Sequence, residues 1–281
     1  MSSESLWLAK EREKAMAFIR VDHIIVAVLD REVAARDYAA LGFRSIVGGT
    51  HMDGHTHNCL VPLADGAYIE LVSPIDVNEI RVRHEDHNQN WLYCFNAGEG
   101  FAGYVLGVPD IEPTVQRLKH CGYPFNGPQQ GGRVLPDGTQ TLGIGVTIAG
   151  QGYPAVLSDL TPREWRIPTT PENSTHANGV TGVEHVFASV LDVDEATRRY
   201  EALTGLKAQP GTPFPGARTA DFQVDGSRIT IAEPVNKNSA LYEDLRLRGE
   251  VPFLVRLRTT DESKTGFLDL LTAHRARFEL S

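Results

Sequence analysis

Residues 21–75, VDHIIVAVLD-REVAARDYAALGF-RSIVGGTHMDGHTHN-CLVPLA-DGAYIELVSPI, decide how the chain is read. The apolar run Val21–Val28 predicts a strand, and the next segment predicts a helix whose Val33, Tyr38 and Leu41 face inward and which Gly42 closes. Three further strands are expected over 44–50, 58–63 and 67–73, the last two joined by an Asp65-Gly66 turn. His23 interrupts the first apolar run and Glu70 interrupts Tyr68–Val72. An ionisable group in a buried strand is costly unless a metal, a counter-charge or hydrogen bonds compensate it. A hydrogen-bonded core histidine or a glutamate on a solvated face explains either interruption alone. Both together, with His51, His55 and His57 between them, point to a metal or catalytic centre. Imidazole with carboxylate suits Zn, Fe, Mn, Ni or Co without selecting among them.

The rest of the chain bounds that reading. A length of 281 residues supports one large core or two moderate ones. The formal charge of -9 argues against nucleic acid and anionic membrane as partners but is compatible with an anionic small substrate. Cys59, Cys94 and Cys121 are sparse, odd in number and lack CxxC spacing, which fits reduced thiols in a cytoplasmic protein. Cys59 alternates with Val61 and Leu63 as a core residue does. Residues 1–20 lack the features of a secretory signal and read as a short amphipathic helical extension with Leu6, Leu8, Ala15 and Phe18 on one side. No run is long enough to span a bilayer.

The opening pattern repeats. FAGYVLGVPD at 101–110 echoes VDHIIVAVLD, and strands around 132–135, 140–149 and 155–160 complete a second strand-helix-three-strand unit. Aligning Asp110 with Asp30 puts Gly103 in the place of His23, and aligning Pro162 with Pro74 puts Ser158 in the place of Glu70. Residues 79–95 read as a connecting helix carrying Trp91, Tyr93 and Phe95, with Arg81 and Arg83 at its start able to clamp a carboxylate. The glycine-rich stretch 127–132 lacks a Lys-Ser/Thr pair, so it reads as a strand connection and not a phosphate loop. Residues 166–179, rich in Pro, Thr and Asn, read as a linker. Beyond them a third unit, with strands at 219–224 and 227–232, places His185 seven residues before Asp192, as His23 is before Asp30. Thr230 stands at its Glu70 position. A fourth unit comprises helix 239–248, strand VPFLVRLRT and helix ESKTGFLDLLTAHRARF, then stops. The fold class expected is α+β, repeated βαβββ units forming curled mixed sheets, about three and a half units in all. The paired units would occupy 21–165, and the third and truncated fourth units 180–281.

These segments resemble the vicinal oxygen chelate superfamily, the glyoxalase, extradiol dioxygenase and bleomycin-resistance fold, and within it the glyoxalase-like domain branch. That branch shows D-H-x-x-x-A-x-x-D-L, then G-G-x-H-x-x-x-G-T-x-N, then Y-[LI]-E-L. This sequence has Asp22-His23 to Asp30, Gly48-Gly49-Thr50-His51-Met52-Asp53-Gly54-His55-Thr56-His57-Asn58, and Tyr68-Ile69-Glu70-Leu71, with His55 where the pattern has glycine. The resemblance implies that two units pair around a cleft holding one divalent metal, with His23 and Glu70 as ligands. The third ligand would be His51, His57, His55 or His185, the last if unit one pairs with unit three. Strand alternation puts Asn58 and Leu60 toward the cleft and His57 with the apolar set, which favours His51. His55 and His57 then become acid-base or substrate-contact candidates, and Asn58, Tyr68 and His185 substrate-binding ones.

The function expected is a metal-dependent enzyme acting on a small oxygen-rich molecule: a glyoxalase-like lyase or isomerase, or a ring-cleaving dioxygenase, with histidine moving the proton. The alternative is a non-catalytic protein that sequesters a small molecule in an emptied site, as bleomycin-resistance proteins do. A homodimer covering the edges left by the truncated unit is also expected.

Overall fold

A computed structural model of the protein describes residues 18–78, 95, 97–150 and 154–281. The helices expected over 1–20 and 79–95 fall mostly outside the described residues, as do Arg81, Arg83, Trp91, Tyr93 and Cys94. The first unit contains β1 (Arg20–Ala27), α1 (Arg31–Ala40), β2 (Ile46–His51), β3 (Thr56–Pro62) and β4 (Tyr68–Pro74). The second contains β5 (Gly100–Gly107), α2 (Glu112–Cys121), β6 (Phe125–Val134), β7 (Gln140–Ile148) and β8 (Ala155–Asp159). Two short helices follow, α3 (Arg163–Arg166) and α4 (Pro171–Ser174). Then come β9 (Val180–Ser189), α5 (Val193–Thr204), β10 (Gln209–Pro210), β11 (Ala217–Val224) and β12 (Ser227–Pro234). The chain closes with α6 (Ala240–Arg248), β13 (Pro252–Thr259), β14 (Gly266–Phe267) and β15 (Phe278–Leu280).

The aspartates that align the units owe their recurrence to capping. Asp30 accepts from the amides of Glu32 and Val33 at 2.8 and 3.0 Å, and Asp192 accepts from Asp194 and Glu195, both at 2.9 Å. Each satisfies amide donors that the first helical turn leaves without intrahelical partners. Gly42, at φ 89°, takes the left-handed turn that ends α1, as its position in the sequence predicts.

Units one and two close into a ring of eight strands, ordered β1-β4-β3-β2-β6-β7-β8-β5. Within each unit the first and last strands run parallel, and the units join antiparallel through β1–β5 and β2–β6. Unit one therefore pairs with unit two, which settles the open alternative of pairing with unit three. The remaining strands form a seven-stranded sheet, β10-β11-β12-β9-β13-β15-β14. Alternation sends Ile24 and Val26 of β1, Cys59, Val61 and Leu63 of the third-strand region, and Ile69 and Leu71 of β4 outward. There they join one continuous core with α1, α5 and the second sheet. Tyr104 of β5 and Tyr200 of α5 share a buried hydroxyl–hydroxyl hydrogen bond across that core.

Two expectations are corrected. Residues 127–132 belong to β6, which starts at Phe125 and not near Gly132; the glycines occur where β6 and β7 approach closely, a Cβ at Gly132 lying 1.9 Å from the Thr141 carbonyl oxygen. The helix expected over 262–278 is replaced by a 3₁₀ turn, the short β14, further turns and β15. Gly266, His274 and Arg275 adopt φ of 121°, 51° and 62°, incompatible with a continuous helix. Phe278 is fully buried against Tyr38 and Phe101, and β15 lies parallel to β13, as a fourth strand lies against a first strand in the other units. The 166–179 segment is packed: Arg166, Ser174, His176 and Asn178 are buried within it. Among the described residues no helix is long and apolar enough to cross a membrane.

Candidate functional site

The interior of the eight-stranded ring is built by the strand faces that alternation turns away from the core. His23, Ile25 and Ala27 come from β1, Thr56, Asn58 and Leu60 from β3, and Tyr68, Glu70 and Val72 from β4. His51, the last residue of β2, reaches the same carboxylate. His23 Nε2 lies 3.4 Å from Glu70 Oε2, and His51 Nε2 lies 3.2 Å from Glu70 Oε1. The three residues that the sequence marks as metal ligands are therefore brought together.

Each imidazole is fixed through its other nitrogen. His23 Nδ1 is 2.7 Å from Asp22 Oδ1, and the ring stacks on Tyr68 with centroids 4.6 Å apart. His51 Nδ1 is 2.7 Å from Thr56 Oγ1. Asp22 is held by Arg166, whose Nη1 and Nη2 donate to its two oxygens at 2.9 and 3.0 Å, and by Arg163 at 2.5 Å. Arg166 also donates to Asp159 at 2.6 Å and to the Tyr68 hydroxyl at 2.8 Å. Burial pushes the Asp22 carboxyl up, but the Arg166 charge and the hydrogen bond with His23 outweigh it and hold Asp22 well below the usual carboxylate range.

An ionised Asp22 makes His23 Nδ1 the donor, which leaves Nε2 facing the Glu70 carboxylate. Burial also raises the Glu70 carboxyl, yet the hydrogen bond with His51, the charges of both histidines and the Asn58 amide bring it far below its ordinary value. His23 Nε2 and a carboxylate oxygen then face each other across 3.4 Å, a gap that a proton on the ring or a cation between them would bridge. Two imidazole nitrogens and a carboxylate fit a divalent transition metal, and the Asp22–His23 contact is the outer-shell support that metal-binding histidines use. Among the described residues no group of three or more His, Cys, Asp or Glu side chains is spread as a ready ion cage. Glu70 contacts each of the two histidines directly instead.

Glu70 borders a cavity of about 500 Å³ shared with His51, Thr56, Asp53 and Met52. Ile25, Ala27, Val72, Phe95 and Ala102 give it an apolar side, and β6 contributes Gln129, Gln130, Gly131 and Gly132. That volume suits a small molecule.

The other sequence-marked residues take different places. Asn58 is fully buried and donates to Glu70 Oε1 at 2.5 Å, so it positions the carboxylate and does not line the cavity. Gly48 makes room for it: a Cβ at 48 would lie 2.0 Å from Asn58 Oδ1. Tyr68 is likewise buried, serving as the platform under His23. His57 is turned out of the ring by strand alternation; burial first, and then the Arg31 charge, lower its pKa, with Glu32 and Asp30 nearby. It is not in position for proton transfer at Glu70. His55 sits in the turn between β2 and β3, its amide on Asp53 Oδ1 at 3.0 Å, outside the cavity lining. His185 belongs to the second sheet, where Nε2 is 2.6 Å from Thr230 Oγ1; it cannot supply a ligand to the first site. The sequence reading missed Asp22 as an orienting group, Arg166 behind it, and the lining stretch Gln129–Gly132. The Asp22-His23 dipeptide carried the first of these signals.

Among known proteins, a model of the glyoxalase-like domain family matches residues 21–204. A hypothetical protein from Staphylococcus aureus superposes with a TM-score of 0.69 at 14% identity, covering 94% of this chain and 100% of that one. A variant of 4-hydroxymandelate synthase from Streptomyces coelicolor superposes with a TM-score of 0.55 at 15% identity, covering 88% of this chain and 76% of the other. Methylmalonyl-CoA epimerase from Mycobacterium tuberculosis matches 36% of this chain and 87% of its own at 21% identity, with a TM-score of 0.33. No curated protein matches the sequence.

Proposed function

Because this chain belongs to the glyoxalase-like domain family of the vicinal oxygen chelate superfamily, we propose that it is a metal-dependent enzyme acting on a small molecule with neighbouring oxygen atoms, by lyase, isomerase or oxygenase chemistry. The observation that carries this reading is the pair of Nε2 atoms facing one buried, ionised carboxylate at the edge of a cavity of about 500 Å³. His23, His51 and Glu70 would hold one divalent ion, which when bound supplies Lewis acidity toward a substrate oxygen.

The chain's own residues do the rest. Asp22 keeps the proton of His23 on Nδ1 and so keeps Nε2 available as a donor atom. Arg166 keeps Asp22 ionised and fixed. Asn58 holds Glu70 in one rotamer by donating to Oε1. The apolar side excludes water from the reacting atoms, while Gln129 and Gln130 offer amides that orient a polar substrate.

Elemental analysis of protein purified without chelator tests the proposal. Near-stoichiometric Zn, Fe, Mn, Ni or Co is expected in the unaltered chain. His23→Ala and Glu70→Gln should each lose the ion while retaining the fold. Asp22→Asn should weaken ion affinity by roughly ten- to a hundredfold. An unaltered chain that neither retains nor takes up any of these ions would overturn the catalytic reading and leave sequestration of a small molecule.

A further inference from the structure

Resting on the reading of this cavity as the substrate site, we infer that its substrate is an anion, a small carboxylate with a hydrocarbon portion, and that Arg133 selects it. Arg133 is 4% exposed. Among the described residues its guanidinium makes one hydrogen bond, from Nη2 to the Arg166 carbonyl, and its buried Nε has no partner. No described carboxylate pairs with it. The neighbouring anions are already engaged: Arg163 and Arg166 share Asp22 and Asp159, Arg20 Nη2 stands 3.6 Å from Asp22, and Glu70 faces the two histidines.

A buried guanidinium without a counter-ion is costly, and arginine cannot shed its proton to escape the cost. Contact with the Arg166 carbonyl at the end of α3 uses one of its five N–H groups. That contact gives no reason for a full charge here, since a neutral amide would serve it as well.

Its place in the sheet gives one. Arg133 is the register partner of His51 across the β2–β6 pairing, so both side chains issue from the same face with Cβ atoms roughly 5 Å apart. Gln129 and Gly131 share that face at alternating positions of β6, and the stretch Gln129–Gly132 that lines the cavity ends next to Arg133. At Gly131 nothing lies within 4 Å of where a Cβ would stand, so the wall leading toward Arg133 is open. The charge thus stands behind the cavity wall, one residue beyond Gly132 and opposite His51, within a low-dielectric ring where it acts over a longer distance than in water. A carboxylate entering there supplies the missing counter-ion, and Ile25, Ala27, Val72 and Ala102 receive its hydrocarbon part. In a chain with a formal charge of -9, such a local cation is what makes the site attractive to an anion.

The test uses metal-stripped full-length protein and an isosteric pair of probes, benzoate and benzamide, with binding measured by calorimetry or ligand-observed NMR. Benzoate should bind the unaltered protein more tightly than benzamide by roughly tenfold or more. Arg133→Gln, which can still donate to the Arg166 carbonyl, should abolish that preference, and Arg133→Lys should restore part of it. Equal binding of the two probes by the unaltered protein, or an unchanged preference in Arg133→Gln, would overturn the inference, as would loss of probe binding in Arg133→Gln with benzamide lost equally. Metal content, measured separately on the same preparations, reports on the proposed function and should be unaffected by Arg133→Gln. Failure of either reading is therefore distinguishable from failure of the other.

Discussion

The eight-stranded ring and the seven-stranded sheet start from the same architecture and treat the same histidine position oppositely. In the ring, His23 Nε2 meets the Glu70 carboxylate, and its strand neighbours Ile25 and Ala27 line a cavity that Glu70 borders. In the sheet, His185 Nε2 meets the Thr230 hydroxyl, which donates onward to Asp221 Oδ1 at 2.6 Å. Asp221 in turn accepts from the amide and hydroxyl of Thr212. Phe187, at the place of Ile25, stacks on His185 at 3.9 Å and continues through Phe214 to Phe253 at 5.4 and 5.9 Å. The second half has satisfied its imidazole internally and filled the space with rings. A ligand site needs both an unresolved donor–acceptor arrangement and room beside it, and only the first half combines them.

The largest effect that could break this contrast lies behind His23. Arg166→Met strands Asp22 and Asp159 without their main counter-charge and should lower stability by about 3–5 kcal/mol in chemical denaturation. Arg256→Met, beside His185 but paired with Glu279 in a half-exposed setting, should cost about 1 kcal/mol or less. Equal losses would mean that the two histidines are supported alike. Next, Thr230→Val cuts the His185–Asp221 connection and should cost about 2 kcal/mol, with metal content unchanged. A fall in metal content would join the two halves functionally.

The smallest effect is a pH dependence. Burial first, then the charges of Arg228 and Arg256 against the opposing pull of Asp221, lower the His185 pKa from its ordinary 6.5 to about 4. The unfolded chain binds a proton in that interval and the native imidazole does not. The associated stability is present above pH 6.5 and is lost as the pH falls toward 4, on the order of 1–2 kcal/mol once solvent screening is allowed for. His185→Asn should flatten that acid limb of the unfolding profile; an unchanged limb would assign it to carboxylates elsewhere.

Much of the ring was legible because its signals are local. Period-two alternation put Asn58 and Leu60 inward and His57 outward, and the apolar runs around His23 and Glu70 exposed them as misfits. Aspartates repeated at Asp30, Asp110 and Asp192 marked the units, the first and last of them as helix caps. What escaped depends on contacts distant in sequence. Arg166 lies 144 positions from Asp22, in a Pro- and Thr-rich stretch that reads as a linker. The Gly- and Gln-rich start of β6 looks like a connection until β7 pairs with it. The apolar spacing of Phe267 and Leu271 suggests a helix, yet both side chains are largely exposed, and the core took Phe278 instead.

One join in the ring has a consequence for access. Only two register pairs, Thr50 with Val134 and His51 with Arg133, lace β2 to β6, whereas β3 and β4 share seven. Breathing of the barrel should begin at this short seam, where the fewest ladder bonds must part. Because His51 is one of the laces, a parting of this seam would also carry its Nε2 away from the Glu70 carboxylate, 3.2 Å off in the closed ring.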